Sequence, residues 1–208
     1  VGVRLTMKRM YVIFITVSLI MGAIMGNFKY SLAFTLEREG GFINHPNDPG
    51  GATNKGITQF TFDNYNKLLN HPLRSVKTIT DSEVESIYEK MYWNKINGDK
   101  LPQPLDVIVF DTAVNIGPAK ALMLLERIKA ATLSHSKIFG WEELCNLPHT
   151  EREPLMRLFV FHYLNERRNY YHNLVKQNSK FDVFLKGWLS RTKILEEHAN
   201  TILNKEGE

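Results

Sequence analysis

The chain has 208 residues, 43% hydrophobic and 23% charged, which suits one globular domain with an appendage and excludes a disordered tail, a collagen and a coiled coil. Its single cysteine, Cys145, excludes a disulfide scaffold or a cysteine-based zinc site and reads as a small buried hydrophobe. A net charge of +4 favours anionic partners such as nucleic acid, lipid headgroups or bacterial cell wall, but the 26 basic and 22 acidic residues are intermixed, against the clustered cations of a nucleic-acid binder.

Arg4, Lys8 and Arg9 precede an uncharged run from Met10 to Phe28. As a helix this run would span roughly 28 Å, close to the hydrocarbon thickness of a bilayer. A basic start before an apolar run is the pattern of an export signal or anchor, although no clear small-x-small cleavage site follows. The alternative is a spurious extension, with translation starting at Met7, Met21 or Met25. The expected division is 1–26 as signal, anchor or extension, 27–130 as a catalytic domain, and 131–208 as a C-terminal helical region packed on the same domain.

Phe28, Leu32, Leu36 and Glu39 recur at helical spacing, and Gly40-Gly41 end that helix. Residues 44–58, NHPNDPGGATNKGIT, are dense in turn formers and then gain β-branched residues, predicting a loop into a short β-hairpin. Thr80 and Glu83 form a capping box before Val84, Ile87, Tyr88, Met91 and Tyr92, so 81–93 is expected to be helical. Leu105, Ile108, Val109, Ala113 and Ile116 mark the next helix, stopped by Gly117, and Pro118 starts another to about Ala130. Residues 132–149 lack a clean period and read as a loop with a short turn. Two long helical patterns follow, about 153–177 and 181–201. The fold class is mainly α with a minor β element.

The chemistry is expected between Glu39 and Thr58, where polar groups stand at an element junction. A carboxylate on the last turn of a helix meets the negative end of the helix dipole, and burial against Phe42 or Tyr92 would further favour its protonated form. That is the requirement of a general acid. Asp48, in the loop, would stay ionised. Two carboxylates held in opposite protonation states suit glycosidic bond cleavage. The plainer alternative is a solvated helix end followed by an Asp-Pro-Gly-Gly turn. Tyr88, Tyr92 and Trp93 read first as core, as do Tyr170, Tyr171 and Trp188 between the last two helices. Asp111 and Asn115, four apart, serve either helix–helix or cleft hydrogen bonds. The histidines show no metal-ligand spacing, and no phosphate-binding glycine loop is present, so neither a zinc peptidase nor a nucleotide enzyme is expected.

The run EGGFINHPNDPGGATNKGIT at 39–58 resembles the signature of glycoside hydrolase family 108, lysozyme-like N-acetylmuramidases of phage endolysins and bacterial secretion-activator proteins. The similarity continues through Tyr92-Trp93, GDKLPQP at 98–104 and FDTAVNIG at 110–117. It resumes at Phe161, Arg167 or Arg168, Tyr170-Tyr171, Phe184, Gly187-Trp188 and Arg191, in what is the family's peptidoglycan-binding region. The segment SHSKIFGWEELCNL at 134–147 departs from the family pattern and keeps little more than Gly140 and a candidate helix start.

The resemblance implies a lysozyme-like helical domain with a small β-hairpin after the catalytic helix. By position Glu39 corresponds to the catalytic glutamate, with Asp48 and Thr58 or Thr53 as partners on the opposite face of the sugar. Thr53, Asn54, Gln59, Tyr92, Asp111 and Asn115 are the expected substrate contacts. The implied partner is bacterial peptidoglycan, with transient membrane association through 10–26, a monomeric state, and neither nucleic acid, metal nor cofactor. Export to the periplasm or cell wall is expected, or cytoplasmic retention until lysis if translation starts at Met25. A wall-binding or secretion-assisting protein that keeps the fold without turnover is the alternative.

Overall fold

A computed structural model of the chain describes residues 25–44, 51–133 and 140–205. Asp48 and nearly all of the expected 1–26 segment lie outside the described residues. Among the described residues, no helix is long and apolar enough to cross a membrane.

The first helix, α1 (Phe28–Leu36), is opened by Asn27, whose side chain accepts the Tyr30 N–H. It is followed by strands β1 (Thr53–Asn54) and β2 (Ile57–Thr58) and by α2 (Gln59–Leu68). Next comes α3 (Asp81–Tyr88), whose Thr80/Glu83 capping box forms as expected and which continues as a wide helical turn over Glu89–Trp93. The remaining helices are α4 (Leu105–Ile116), α5 (Pro118–Leu133), the short α6 (Trp141–Cys145), α7 (His149–Gln177) and α8 (Asp182–Lys205). This is a mainly α, lysozyme-like fold with a two-stranded antiparallel sheet pairing Thr53 with Thr58 and Asn54 with Ile57.

Helix α4 is the centre of the molecule. Leu105, Val107, Ile108, Val109, Phe110 and Ala113 are all fully buried, so the helix is apolar on nearly every side and is sheathed by others. Phe110 meets Trp93 and Phe28 edge-on at 5.6 and 6.0 Å, which locks α1 and the end of α3 onto α4. On the opposite flank Tyr163 of α7 donates to the Ala121 carbonyl of α5. Helix α8 closes the structure against α1: the His198 ring lies 4.2 Å from that of Phe34 and 2.9 Å from the Tyr30 hydroxyl.

Four features differ from the sequence reading. Helix α2 was not expected; Phe62, Tyr65 and Asn66 give it a buried face, but its threonine and asparagine content hides that face from a propensity argument. The α1 helix ends at Leu36, and short turns through Glu37, Arg38 and Glu39 carry the chain on, so Glu39 stands just beyond the helix rather than on its last turn. The segment expected as a loop contains α6, whose Trp141 packs edge-on against Phe159. Met25 and Gly26, placed with the N-terminal segment in the sequence reading, already pack on the fold. Met25 bridges Pro102, and a Cβ at Gly26 would fall 2.0 Å from the Gly98 carbonyl oxygen.

Asp106, on the first turn of α4, is fully buried and accepts the Asn27 N–H at 2.9 Å. Burial pushes its carboxyl up to about 6, against the hydrogen bonds from Asn27 and neighbours that favour the charged form. A folded-state value above the unfolded one stabilises the protein at low pH, and that gain is lost as pH rises through about 6. Asp106→Asn should therefore gain stability relative to the parent by about 2–3 kcal/mol between pH 4 and pH 7.5. Paired thermal melts at the two pH values check this; a constant difference between parent and variant would refute it.

Candidate active site

The site begins with backbone geometry. Lys55 and Gly56 both take positive φ, 50° and 74°, which makes the two-residue turn that matches hairpin twist. The turn is pinned from two sides: the Lys55 N–H donates to the Gly40 carbonyl at 3.1 Å, and the Tyr88 hydroxyl donates to the Lys55 carbonyl at 2.9 Å. The hairpin tip thereby sits directly against the turn that carries Glu39. A Cβ on Gly56 would lie 2.8 Å from Glu39 Oε2 and 2.5 Å from the Tyr88 hydroxyl. Only glycine satisfies both the φ and the space.

Glu39 is thus held on one side by Gly56. On the other, Arg191 of α8 places Nη1 2.8 Å from Glu39 Oε1, with both side chains largely buried. Arg191 is itself anchored on Asp111 of α4, through Nε at 3.0 Å and Nη2 at 2.8 Å to Oδ2. Asp111 also accepts from Arg167 of α7 at 2.7 Å, and both of these side chains are completely buried. Burial opposes ionisation of Asp111, but the two arginines outweigh it and hold the carboxyl below its ordinary value. Arg191 is raised above its ordinary value, because Asp111 and then Glu39 overcome the cost of its burial. The acid expected to be insulated among aromatics is in fact one end of a charge chain.

The aromatics are present as well. Tyr88 is buried, Tyr92 half-buried, and their rings lie 5.5 Å apart. Burial, and then the negative charge of Glu39, push both phenols above the usual tyrosine value, so both stay neutral donors. Beside Glu39 a cavity of about 430 Å³ opens between Leu36, Gly40 and Gly41 on one side and Lys55, Val84 and Glu85 on the other. Lys55 forms an ion pair with Asp81 at its edge.

The structure brings together only part of the predicted set. Thr53 and Thr58 pair across the hairpin, Glu39 lies against Gly56 at its tip, and Tyr92 is near enough to Glu39 to feel its charge. The Thr58 hydroxyl caps α2, accepting the Thr61 N–H at 3.2 Å and donating to the Thr61 hydroxyl at 3.0 Å, whereas Thr53 is half-buried on the facing strand. Asn54 is buried and donates to the Val76 carbonyl at 3.2 Å. Gln59 bonds Asp63, the Arg74 carbonyl and the Val76 N–H. Asp111 is engaged by its two arginines, and Asn115 accepts from the Tyr171 hydroxyl. These last four side chains hold the frame of the site. Arg191, Gly56 and Tyr88 are the neighbours of Glu39 that sequence reasoning did not assign to it. The available signal for Arg191 was a cation on the same helix face as Thr192, Leu195 and Ala199, where a charge needs a buried partner.

The family model for glycosyl hydrolase 108 matches residues 32–117, the stretch from α1 through the hairpin to the end of α4. The solved structure of SagA from Brucella abortus is similar in fold and sequence: 28% identity and a TM-score of 0.59, covering 84% of this chain and 94% of that one. No curated protein matches the chain.

Gly56→Ala tests the packing under Glu39. Positive φ and the clash with Tyr88 and Glu39 should together cost about 2–3 kcal/mol of stability, and displacement of the carboxylate should lower any Glu39-dependent activity at least tenfold. Denaturant unfolding and an activity assay on the same sample check both. An alanine variant with parental stability would contradict the packing described.

Proposed function

Because residues 32–117 belong to the glycosyl hydrolase 108 family, a lysozyme-like peptidoglycan hydrolase family, we propose that the protein is an N-acetylmuramidase. It cleaves the glycosidic bond between N-acetylmuramic acid and N-acetylglucosamine. The observation that carries this reading is the placement of Glu39: a carboxylate fixed between Gly56 and Arg191 at the wall of an open cavity.

In the proposed mechanism Glu39, in its protonated form, gives its proton to the glycosidic oxygen as the bond to the anomeric carbon breaks and the electron pair leaves with that oxygen. Positive charge develops on the anomeric carbon and ring oxygen of the muramic acid ring left behind. A water molecule adds to that carbon and gives up a proton to complete hydrolysis. Either Asp48 or a water held by a threonine hydroxyl serves the opposite face. Thr53 suits that second role better than Thr58, whose hydroxyl already caps α2. Tyr92, half-buried, near enough to Glu39 to feel its charge and kept neutral, is the proposed hydrogen-bond donor to the sugar. Proton transfer and charge stabilisation suffice for this reaction, and no cofactor is needed.

The protein would meet its substrate after export, with the apolar run that precedes Met25 as the signal or transient anchor. Work as an endolysin, released to the wall at lysis, fits the same chemistry. The monomer is the proposed working form.

Glu39→Gln keeps size and hydrogen bonding but removes the proton donor. General acid catalysis supplies roughly 10²–10⁴ in rate, so lysis of purified peptidoglycan should fall at least a hundredfold in a folded variant. Digestion by the parent should release new reducing ends on muramic acid. Reducing ends on glucosamine, free peptide without new reducing ends, or tight binding without products would each overturn the muramidase reading.

A further inference from the structure

We propose that Arg191 is a positioning residue of the glycosidase site, so that the C-terminal helix α8 completes the catalytic machinery. The proposal rests on the reading of Glu39 as the general acid and extends it to a part of the chain outside the 32–117 family match.

The geometry is a fork with two fixed tines. Nε and Nη2 of Arg191 grip Asp111, and Nη1 is left pointing at Glu39 Oε1. Because Asp111 is completely buried and is held a second time by Arg167, the guanidinium plane cannot turn without breaking a buried charge pair. The position of Nη1, and with it that of Oε1, is therefore set by α4 and α7. Gly56 sets the position of Oε2. Glu39 lies in a turn with no helix of its own, and among the described residues these two contacts orient its carboxyl group. Misplacing a catalytic group by about 1 Å costs on the order of 10² in rate.

The same contact has an electrostatic consequence. As the proton passes from Glu39 to the glycosidic oxygen, negative charge grows on the carboxylate. Nη1 is already in place to meet that charge without reorganisation, which is how preorganised donors lower a barrier. Asp111 neutralises part of the guanidinium charge, and Glu39, Arg191, Asp111 and Arg167 together sum to zero once Glu39 has given up its proton. The array therefore places a directed donor at the acid without leaving an unpaired charge in the interior.

Helix α8 also covers the helix that leads to Glu39, through His198 on Tyr30 and Phe34. The C-terminal region thus reaches the site through Arg191 and braces the helix before it through His198. It is more than an attachment to the wall.

The test uses the full chain with Arg191→Gln, Arg191→Lys and Glu39→Gln. Turnover is measured on a soluble glycan fragment of peptidoglycan, where affinity for an insoluble wall has no influence. Co-sedimentation with insoluble peptidoglycan and thermal melting are measured in parallel. Arg191→Gln should lower kcat about 10- to 100-fold at unchanged KM and unchanged co-sedimentation. Arg191→Lys keeps the charge but not the fork, and should lose only about two- to tenfold. Parental kcat in Arg191→Gln, with co-sedimentation weakened, would overturn the proposal in favour of a wall contact. Equal losses in both Arg191 variants that track a fall in melting temperature would overturn it in favour of a purely structural role. Should Arg191→Gln not fold, Arg191→Lys decides, since parental kcat there refutes a positioning fork. A fully active Glu39→Gln removes the general-acid reading itself; an inactive Glu39→Gln beside a fully active Arg191→Gln overturns only the proposal for Arg191.

Discussion

The structure depends on one buried carboxylate. Asp111 stands on α4, the helix that is apolar on nearly every side, and is completely buried. An ionised carboxylate there is costly unless it is paired, and breaking such a pair from one side typically costs about 3–5 kcal/mol. The fold supplies two cations, Arg167 from α7 and Arg191 from α8. Arg167 is shared further with the Thr112 and Tyr171 hydroxyls, and Tyr171 passes the network on to Asn115. Three helices that are distant in sequence must therefore reach one point with correct geometry. Apolar packing alone would tolerate sliding among them; the charge fixes their register.

The candidate active site inherits that register. Glu39 stands beyond the end of α1, in a turn followed by two glycines, where the backbone alone would leave its side chain free. Its position comes from outside: the hairpin tip beneath it, the Tyr88 hydroxyl that holds that tip, and the guanidinium that links it to the core. The division of labour is physical. Short-range turn chemistry, from Lys55 and Gly56 at positive φ, builds one wall. Long-range charge pairing from the C-terminal helices builds the other. The stacking of Tyr171 on Trp188 at 4.9 Å steadies α7 against α8 behind Arg191.

What was legible in the sequence follows the same division. The capping box at Thr80, the helix of Leu105–Ile116 with its Gly117 stop, the hairpin and the two long terminal helices are local patterns, and the structure has them. Glu39 could be singled out because the glycines and turn formers after it are contiguous with it. The charge chain could not be read, because its members lie on different helices and only tertiary packing brings them together. The spacing of Asp111 with Asn115 left helix–helix and cleft hydrogen bonds both open, and burial decides for the first by giving Asp111 arginine partners on two other helices. Arg167 and Arg191 did carry a signal: each lies on a helix face whose neighbours are buried, Tyr163, Leu164 and Tyr171 for the first, Thr192 and Leu195 for the second. A cation on such a face implies an anion facing it. Helix α2 was hidden for a different reason, since weak helix formers are held helical there by the burial of Phe62 and Tyr65.

The central claim is that Glu39 is energetically connected to the buried charge chain through Arg191. A double-mutant cycle on folding stability measures that connection most directly, with Glu39→Gln, Arg191→Gln and the double variant compared with the parent by denaturant unfolding. The account predicts a coupling of at least about 1 kcal/mol between the two positions. Effects that add to within about 0.3 kcal/mol would contradict it, leaving Glu39 a solvated turn residue beside an arginine that serves Asp111 alone.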